Sequence, residues 1–274
     1  MIDPASFESA FLPTVPDDEA FWFPFRGPQL LLKSTGGKGA SPLRRDEFLS
    51  LGLEVIRAQY IGALNGVGCV AAELQKDAPE VTGHQYLDLR RAFFALDPSE
   101  FAAAGLAFQI QYWDKNHRFC GGCGGPLALK QTERAKRCDP CDRDFYPPVV
   151  PAMIVRVVRG DHILMTRQSR FPKGMYGLVA GFLEPGETLE ECVAREVLEE
   201  TGVRVHNVRY FGSQPWPFPH QIMIGFVADY LSGDIVVDTS ELEEAAWFNR
   251  SEMPMLPPPI SLARRLIDDF LNAD

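Results

Sequence analysis

Three glutamates crowded onto one short stretch carry the plainest chemistry in this chain. Glu196, Glu199 and Glu200 fall within residues 181–203, GFLEPGETLEECVAREVLEETGV. Carboxylates this close repel one another unless protons or cations compensate, and clustered hard oxygens suit magnesium or manganese. A second group is made of thiols. Cys120 and Cys123 form one CxxC pair, Cys138 and Cys141 a second, and Cys69 and Cys192 stand alone. Two CxxC pairs at this separation fit one tetrahedral zinc ion. Gly121, Gly122, Gly124 and Gly125 permit the tight turn that brings Cys120 and Cys123 to one metal. Disulfides are the competing account, but the acidic opening MIDPASFESA has no basic n-region or apolar h-region, and a reducing compartment disfavours them. Cys69 and Cys192 read as small buried hydrophobes.

A third stretch, Ser213-Gln214-Pro215-Trp216-Pro217-Phe218-Pro219-His220-Gln221, alternates prolines with aromatics. The prolines fix φ and are expected to hold the segment extended, with Trp216 and Phe218 pointing the same way. Stacking a base on such a ring contributes roughly 1–3 kcal/mol. By composition alone two readings stand side by side: a platform for a nucleotide, and a connector whose aromatics plug the core.

The acidic stretch must be positioned by a helix. Thr188 and Glu191 form a capping box and Gly202 occupies a C′ position, which predicts a helix over Leu189–Thr201. Each residue turns roughly 100° about the axis, so the three glutamates gather on one arc, and Val193, Ala194, Val197 and Leu198 lie on another that can face a core. Arg195 is spaced to pair with Glu199 and is expected to orient Glu187 or a helix carboxylate rather than touch phosphate. Strands are expected at 150–158 and 162–168, paired around Arg159-Gly160-Asp161, then at 178–181, 204–212, 221–231 and 244–249. A closing helix follows at 261–271, after Pro257-Pro258-Pro259. Strands interleaved with an acidic helix and a closing helix imply a mixed sheet between helices.

Upstream, the pattern is sparser. Residues 57–74 read as a hairpin about Asn65-Gly66. Asp97-Pro98-Ser99-Glu100 opens a helix running to about residue 115. Arg90 and Arg91 precede it, as solvated charges or as a phosphate contact. Residues 113–147 hold seven Lys or Arg against five Asp or Glu, a sum of +2. Four thiolates on one Zn²⁺ add −2, which favours a structural clamp over a nucleic-acid reader; so short a unit usually needs its metal to fold.

The 274 residues carry a formal net charge of −10, which argues against a protein that coats nucleic acid. An anionic substrate is still compatible, because bound cations reverse the local field. The letters show neither a low-complexity tract nor an internal repeat, and no apolar run reaches about 18 residues, so no membrane span is expected. A cytoplasmic location follows by default. Three units are expected: 1–112, 113–147 and 148–274.

Gly181, five residues, Glu187, seven residues, then Arg195-Glu196-Val197-Leu198-Glu199-Glu200-Thr201-Gly202-Val203 match the Nudix box in full. A chance match is on the order of 10⁻⁸ per start position at average residue frequencies. The chain resembles a Nudix hydrolase, a family that cleaves nucleoside diphosphates linked to another moiety. With the four-cysteine ribbon and SQPWPFP, residues 113–270 resemble the NADH pyrophosphatase branch, whose members also remove NAD caps from RNA. The resemblance implies an α+β chain: a Nudix mixed-sheet α/β/α sandwich, a zinc ribbon and an N-terminal α/β domain. It also implies one structural Zn²⁺ on Cys120, Cys123, Cys138 and Cys141. Two or three catalytic Mg²⁺ or Mn²⁺ ions are implied on Glu196, Glu199 and Glu200, with the Ala180 carbonyl and Glu241. Bridging the diphosphate oxygens, these ions would neutralise charge and acidify the attacking water, with Glu200 as the preferred base.

Phe182 and Tyr146 are implied to flank the nicotinamide half of NAD(H) or another dinucleotide. Gln214, Pro215, Trp216, Pro217, Phe218, Pro219, His220 and Gln221 would line the nucleotide pocket, with Ala263 and Arg91 as further contacts. Members of the branch are homodimers whose pocket draws on both chains. One departure is Gln221, where the branch usually has serine; it bears on substrate preference. The products would be NMN(H) and AMP, or 5′-monophosphate RNA from an NAD-capped transcript. The alternatives are a Nudix enzyme for ADP-ribose, diadenosine polyphosphates or coenzyme A, and a non-catalytic zinc-ribbon RNA-binding protein. The second would be favoured by loss of a box glutamate, and none is lost.

Overall fold

The computed structural model describes residues 6–13, 18–37 and 39–272. It divides into two compact units, Met1–Pro148 and Val149–Asp274. The first unit contains β1 (Phe7–Ser9), β2 (Phe21–Arg26), β3 (Gln29–Gly36), β4 (Gly39–Ser41), β5 (Leu43–Arg44), α1 (Arg45–Ser50), β6 (Val55–Leu64), β7 (Val67–Leu74), β8 (His84–Asp88), α2 (Leu89–Ala92) and α3 (Pro98–Asn116). The short strands β9 (Ala128–Leu129), β10 (Lys136–Cys138) and β11 (Arg143–Phe145) form a separate three-stranded sheet. The β6–β7 hairpin turns at Asn65 and Gly66 with φ of 50° and 76°, the positive values that a two-residue loop of this kind requires. Helix α3 opens on the expected capping box, with the Asp97 amide donating to Glu100 Oε2 at 3.1 Å.

At the other end of α3, Lys136 on β10 is buried at 4% exposure. Its ammonium donates to the carbonyls of Asp114 (2.7 Å) and His117 (2.8 Å) and lies 2.5 Å from the Asp114 carboxylate. The last carbonyls of a helix lack intrahelical partners, so this lysine both caps α3 and ties the cysteine ribbon to it.

The second unit contains β12 (Val150–Arg159), β13 (His162–Arg167), β14 (Val179–Phe182), α4 (Leu189–Thr201), β15 (Arg204–Trp216), β16 (Gln221–Ser232), β17 (Glu244–Asn249) and α5 (Leu262–Asn272). The sheet order is β15-β16-β12-β13-β17, with β14 also on β12; β12 and β16 run parallel and the other pairs antiparallel. Side chains alternate across β12, as strand geometry requires. Met153, Val155 and Val157 meet Cys192, Val193 and Val197 of α4, whereas Ile154 meets Leu262, Leu266, Ile267 and Phe270 of α5. The result is a sheet with one helix on each face, as the resemblance implied. One detail differs from the sequence expectation: Ala194 is exposed. Cys192 is a buried hydrophobe as expected and lies in the core stripe with Val193 and Val197.

The proline-rich segment also departs from expectation. Its first half extends β15 to Trp216, but residues 217–220 form a tight connection in which Trp216 pairs with Gln221. Hydrogen bonding to β16 overrides the tendency of alternating prolines to stay extended.

The two units share a strand order that the letters conceal. In the first, β2 pairs antiparallel with β3 and β5 and parallel with β7; β7 pairs with β6 and β3 with β8. In the second, β12 pairs antiparallel with β13 and β14 and parallel with β16; β16 pairs with β15 and β13 with β17. Helix α1 follows β5 as α4 follows β14, and α3 follows β8 as α5 follows β17. The helix of the first unit at the position of α4 is α1, with six residues. Among the described residues, no helix is long and apolar enough to cross a membrane.

Gly225 marks where α5 seats on the sheet. A Cβ there would lie 2.9 Å from Leu262 Cδ2 and 3.2 Å from the Gly212 carbonyl oxygen. Overpacking of this kind costs about 1–3 kcal/mol, so Gly225→Ala is expected to lower the unfolding free energy by that amount, read as a lower urea midpoint at an unchanged slope of the transition.

Candidate active site and metal centres

Helix α4 is anchored at both ends by local chemistry. The Thr188 hydroxyl accepts from the Glu191 amide at 3.2 Å, and the Glu191 carboxylate accepts from the Thr188 amide at 2.8 Å. Gly202 ends the helix in the left-handed region, φ 72°. Gly181, on β14, faces the helix so closely that a Cβ there would overlap the Glu196 carboxyl group. This explains the glycine in the motif: it leaves room for an acid against the sheet.

Oxygens of Glu196, Glu200 and Glu241 lie within 4.8 Å of one another. Glu200 is 3% exposed, and its Oε2 is buried without a hydrogen-bond partner. Burial, followed by the charges of Glu196, Glu241 and Asp238, pushes its carboxyl up to about 8. Burial likewise raises Glu196. An orphaned buried oxygen among three acids fits a divalent cation, because hard oxygen ligands are what such ions take. Glu196 and Glu200 stand one turn apart at i,i+4. Glu199 swings to the other side, is largely exposed and accepts from Arg195 Nη1 at 3.0 Å; the structure does not bring it into the three-acid cluster.

Arg195 holds the surrounding acids apart. Its Nε and Nη2 donate to the two Glu187 oxygens at 2.5 and 2.9 Å, its Nη1 to Glu196 at 2.9 Å, and its Nη2 to the Phe182 carbonyl at 3.0 Å. The paired guanidinium, with help from the Glu184 amide, holds Glu187 down at about 2. The expectation that Arg195 orients Glu187 and helix carboxylates therefore describes what it contacts. Glu241 reaches the cluster on a loop bonded to the end of α4, through Val236 N–H to the Thr201 carbonyl (2.9 Å) and Asp238 N–H to the Glu200 carbonyl (3.1 Å). Ala180 lies beside Gly181 on β14, opposite Ile154.

Of the residues named for substrate, Trp216 and Phe218 pack edge to face with centroids 5.0 Å apart. Pro217 is buried, Pro215 is exposed, and Pro219, His220 and Gln221 are half-buried. Gln214 uses both ends of its amide inside the fold: Nε2 donates to the Ile260 carbonyl and Oε1 accepts from the Leu262 amide, each at 2.7 Å. It thus caps the start of α5 from a neighbouring strand. Ala263 sits on the core face of α5 at 9% exposure. Phe182 is half-exposed on β14, while its carbonyl accepts from Arg195 and from the Cys192 thiol. Tyr146 and Arg91 belong to the first unit, both exposed. The Tyr146 hydroxyl donates to Glu133 at 3.1 Å. Sequence reasoning passed over Glu133, which in the letters is one more acid in a charged run.

The four ribbon cysteines bring their sulfurs within 4.8 Å of one another. Cys120 and Cys141 are 3.9 Å apart, and Cys123 and Cys138 3.5 Å. Zn–S bonds of about 2.3 Å in a tetrahedron place sulfurs about 3.8 Å apart, so the set fits one zinc ion. The Gly122 amide draws the Cys120 thiol down to about 6, whereas hydrogen bonds with Cys123 and Cys138 push Cys141 up to about 12. Four thiolates so close require a cation between them. Cys69 and Cys192 are buried, and burial raises both thiols.

Glu200 links the site to pH. Its carboxyl rises from an ordinary 4.5 to about 8, so the folded, metal-free protein retains a proton that the unfolded chain releases. That contribution to stability is complete below pH 4.5 and is lost as pH climbs towards about 8. In chelator, thermal melts are expected to fall across this window. Glu200→Gln, which cannot ionise, should flatten the dependence.

The NUDIX domain family matches residues 147–270, the NADH pyrophosphatase-like rudimentary NUDIX domain residues 19–113, and the NADH pyrophosphatase zinc ribbon residues 115–146. The chain is 42% identical over 256 residues to an NAD-capped RNA hydrolase NudC of Pseudomonas entomophila, covering 93% of this chain and 91% of that protein. It is 45% identical over 209 residues to a protein of the same name from Chromobacterium violaceum, covering 76% and 78%. The family match over 19–113 agrees with the strand order repeated between the two units. The chain belongs to the Nudix hydrolase family, in the zinc-ribbon branch of the NADH pyrophosphatases.

Proposed function

We propose that this protein hydrolyses the diphosphate bond of NAD(H), giving NMN(H) and AMP, and removes NAD caps from RNA 5′ ends. The observation that carries the reading is the convergence of Glu196, Glu200 and Glu241 behind Gly181, with the Glu200 Oε2 buried and unpartnered. The relatives named NAD-capped RNA hydrolase direct the choice of substrate. Glu196, Glu200 and Glu241, with the Ala180 carbonyl, would hold two or three Mg²⁺ or Mn²⁺ ions; Glu199 would join only by leaving Arg195. Such ions, when bound, offset diphosphate charge and lower the pKa of water.

The chain's own groups do the rest. A water oxygen attacks one phosphorus, the bridging P–O bond breaks, and the water's proton passes to Glu200, leaving two monophosphates. Glu200 can accept that proton only as the ionised carboxylate, the form that bound cations favour. Arg195 keeps Glu187, Glu196 and Glu199 fixed while charge develops. Trp216 and Phe218 stack the base, Phe182 flanks the nicotinamide, and Pro215, Pro217, Pro219, His220, Gln221 and Ala263 complete the pocket; Tyr146 and Arg91 enter as substrate contacts on the family resemblance alone. Gln214 contributes by fixing the start of α5. Four thiolates on one Zn²⁺ hold the ribbon, and the protein acts as a cytoplasmic homodimer.

Glu200→Gln is expected to remain folded and to keep less than about a tenth of kcat, a loss of at least about 1.4 kcal/mol. Retention of more would move the base to another residue. Comparing kcat/KM for NADH, NAD and NAD-capped RNA, with and without chelator, tests the substrate reading; ADP-ribose turned over faster than all three would displace it. Elemental analysis should find about one zinc per chain, lost in Cys138→Ser together with folded signal from the first unit.

A further inference from the structure

Glu241 is exposed and sits on a loop, yet it meets two acids fixed on a helix. Something must hold that loop, and the bonds converge on Asp238. Its amide donates to the Glu200 carbonyl at 3.1 Å. Its carbonyl accepts from the amides of Glu241 (3.2 Å) and Leu242 (2.9 Å). Its Oδ1 accepts from the Ser240 amide (2.8 Å) and hydroxyl (2.7 Å). Leu242, buried at 2% exposure, pins the far end of the turn. At the near end, Gly202 and Gly233 abut: a Cβ on Gly233 would lie 2.5 Å from the Gly202 carbonyl oxygen, and both residues have positive φ, 72° and 99°. The segment carrying one member of the acid trio is therefore hydrogen-bonded to the backbone of another member, with Asp238 at the junction.

We propose that Asp238 is a positioning residue for the divalent-cation site. Its carboxylate closes the turn that presents Glu241 to Glu196 and Glu200. The role is geometric: an oxygen acceptor at Oδ1 closes the turn, and negative charge is not required. This inference rests on the reading of Glu241 as a cation ligand and extends it to a residue whose carboxylate bonds to Ser240 rather than to the trio. Sequence inspection had no means of selecting Asp238, since its partners are backbone groups and a serine two residues away.

The test is Mn²⁺ affinity of the full chain, read from the free-ion EPR signal and by calorimetry without substrate. Groups that orient metal ligands typically contribute ten- to a hundredfold in affinity. Asp238→Ala is expected to weaken Mn²⁺ binding by about tenfold or more, with the metal-free melting temperature little changed. Asp238→Asn keeps the Oδ1 acceptor and should bind within about threefold of wild type, a small part of that range. Ser240→Ala, which keeps the amide donor, should fall between wild type and Asp238→Ala, and serves if the latter folds poorly. Wild-type affinity in Asp238→Ala would overturn the proposal. So would an equal loss in Asp238→Asn and Asp238→Ala, which would mean that Asp238 acts through charge. Glu241→Gln is run alongside: wild-type affinity there would show that the ligand assignment of Glu241 had failed, and the positioning role with it.

Discussion

Mutual repulsion of carboxylates in a space too dry to screen them is the constraint on which the second unit depends. Glu200 is almost fully buried beside Glu196 and Glu241, and each charge makes its neighbours harder to ionise. The fold meets this in two ways. Arg195 ties Glu187, Glu196 and Glu199 to a single guanidinium, so three acids share one positive charge and the group stays net negative. The Glu200 Oε2 is left without any partner. A site with more carboxylates than positive charge, and one buried oxygen without a hydrogen-bond partner among three acids, is arranged for a cation that the polypeptide does not itself supply.

The strand order repeated in the two units shows how little of this a fold requires. Both place a strand between antiparallel and parallel neighbours and pack a later helix, α3 or α5, across the sheet. Backbone pairing needs only alternating apolar side chains and turns in the right places. The six-residue α1 has no side-chain cap, and its acids, Asp46 and Glu47, both lie in its first turn. The first unit instead anchors the ribbon: Lys136 draws β10 onto the end of α3, and the four thiols converge near it. Fold and chemistry are thus separable within one chain, as expected when sites are grafted onto a shared architecture.

Much of the second unit was legible because its signals are local. The capping box of Thr188 and Glu191, the stop at Gly202 and the strands on either side depend on residues within a few positions of one another, and they appear where expected. The three glutamates were legible as a group but not as an arrangement. Helical spacing alone put Glu199 with Glu196 and Glu200; in the structure it belongs to Arg195. A 60° offset on the helix decides between facing the sheet and facing solvent, and only the packed sheet defines those directions. The SQPWPFP segment was misjudged for a similar reason. Proline stiffness is local, but the pairing of Trp216 with Gln221 is imposed by β16.

By itself, the sequence determined the acidic helix and its caps, the two cysteine pairs, the family box and the strand positions of the second unit, because each is encoded within a window that covalent geometry and hydrogen bonding make self-sufficient. Tertiary structure alone decided that Asp238 bonds to the Glu200 backbone, that Gln214 caps a helix 48 residues away, that Lys136 holds the ribbon to α3 and that the first unit repeats the strand order of the second. Each of these joins groups distant along the chain. Their meeting depends on how sheets and helices bury apolar faces, and burial is a property of the assembled surfaces rather than of any one segment.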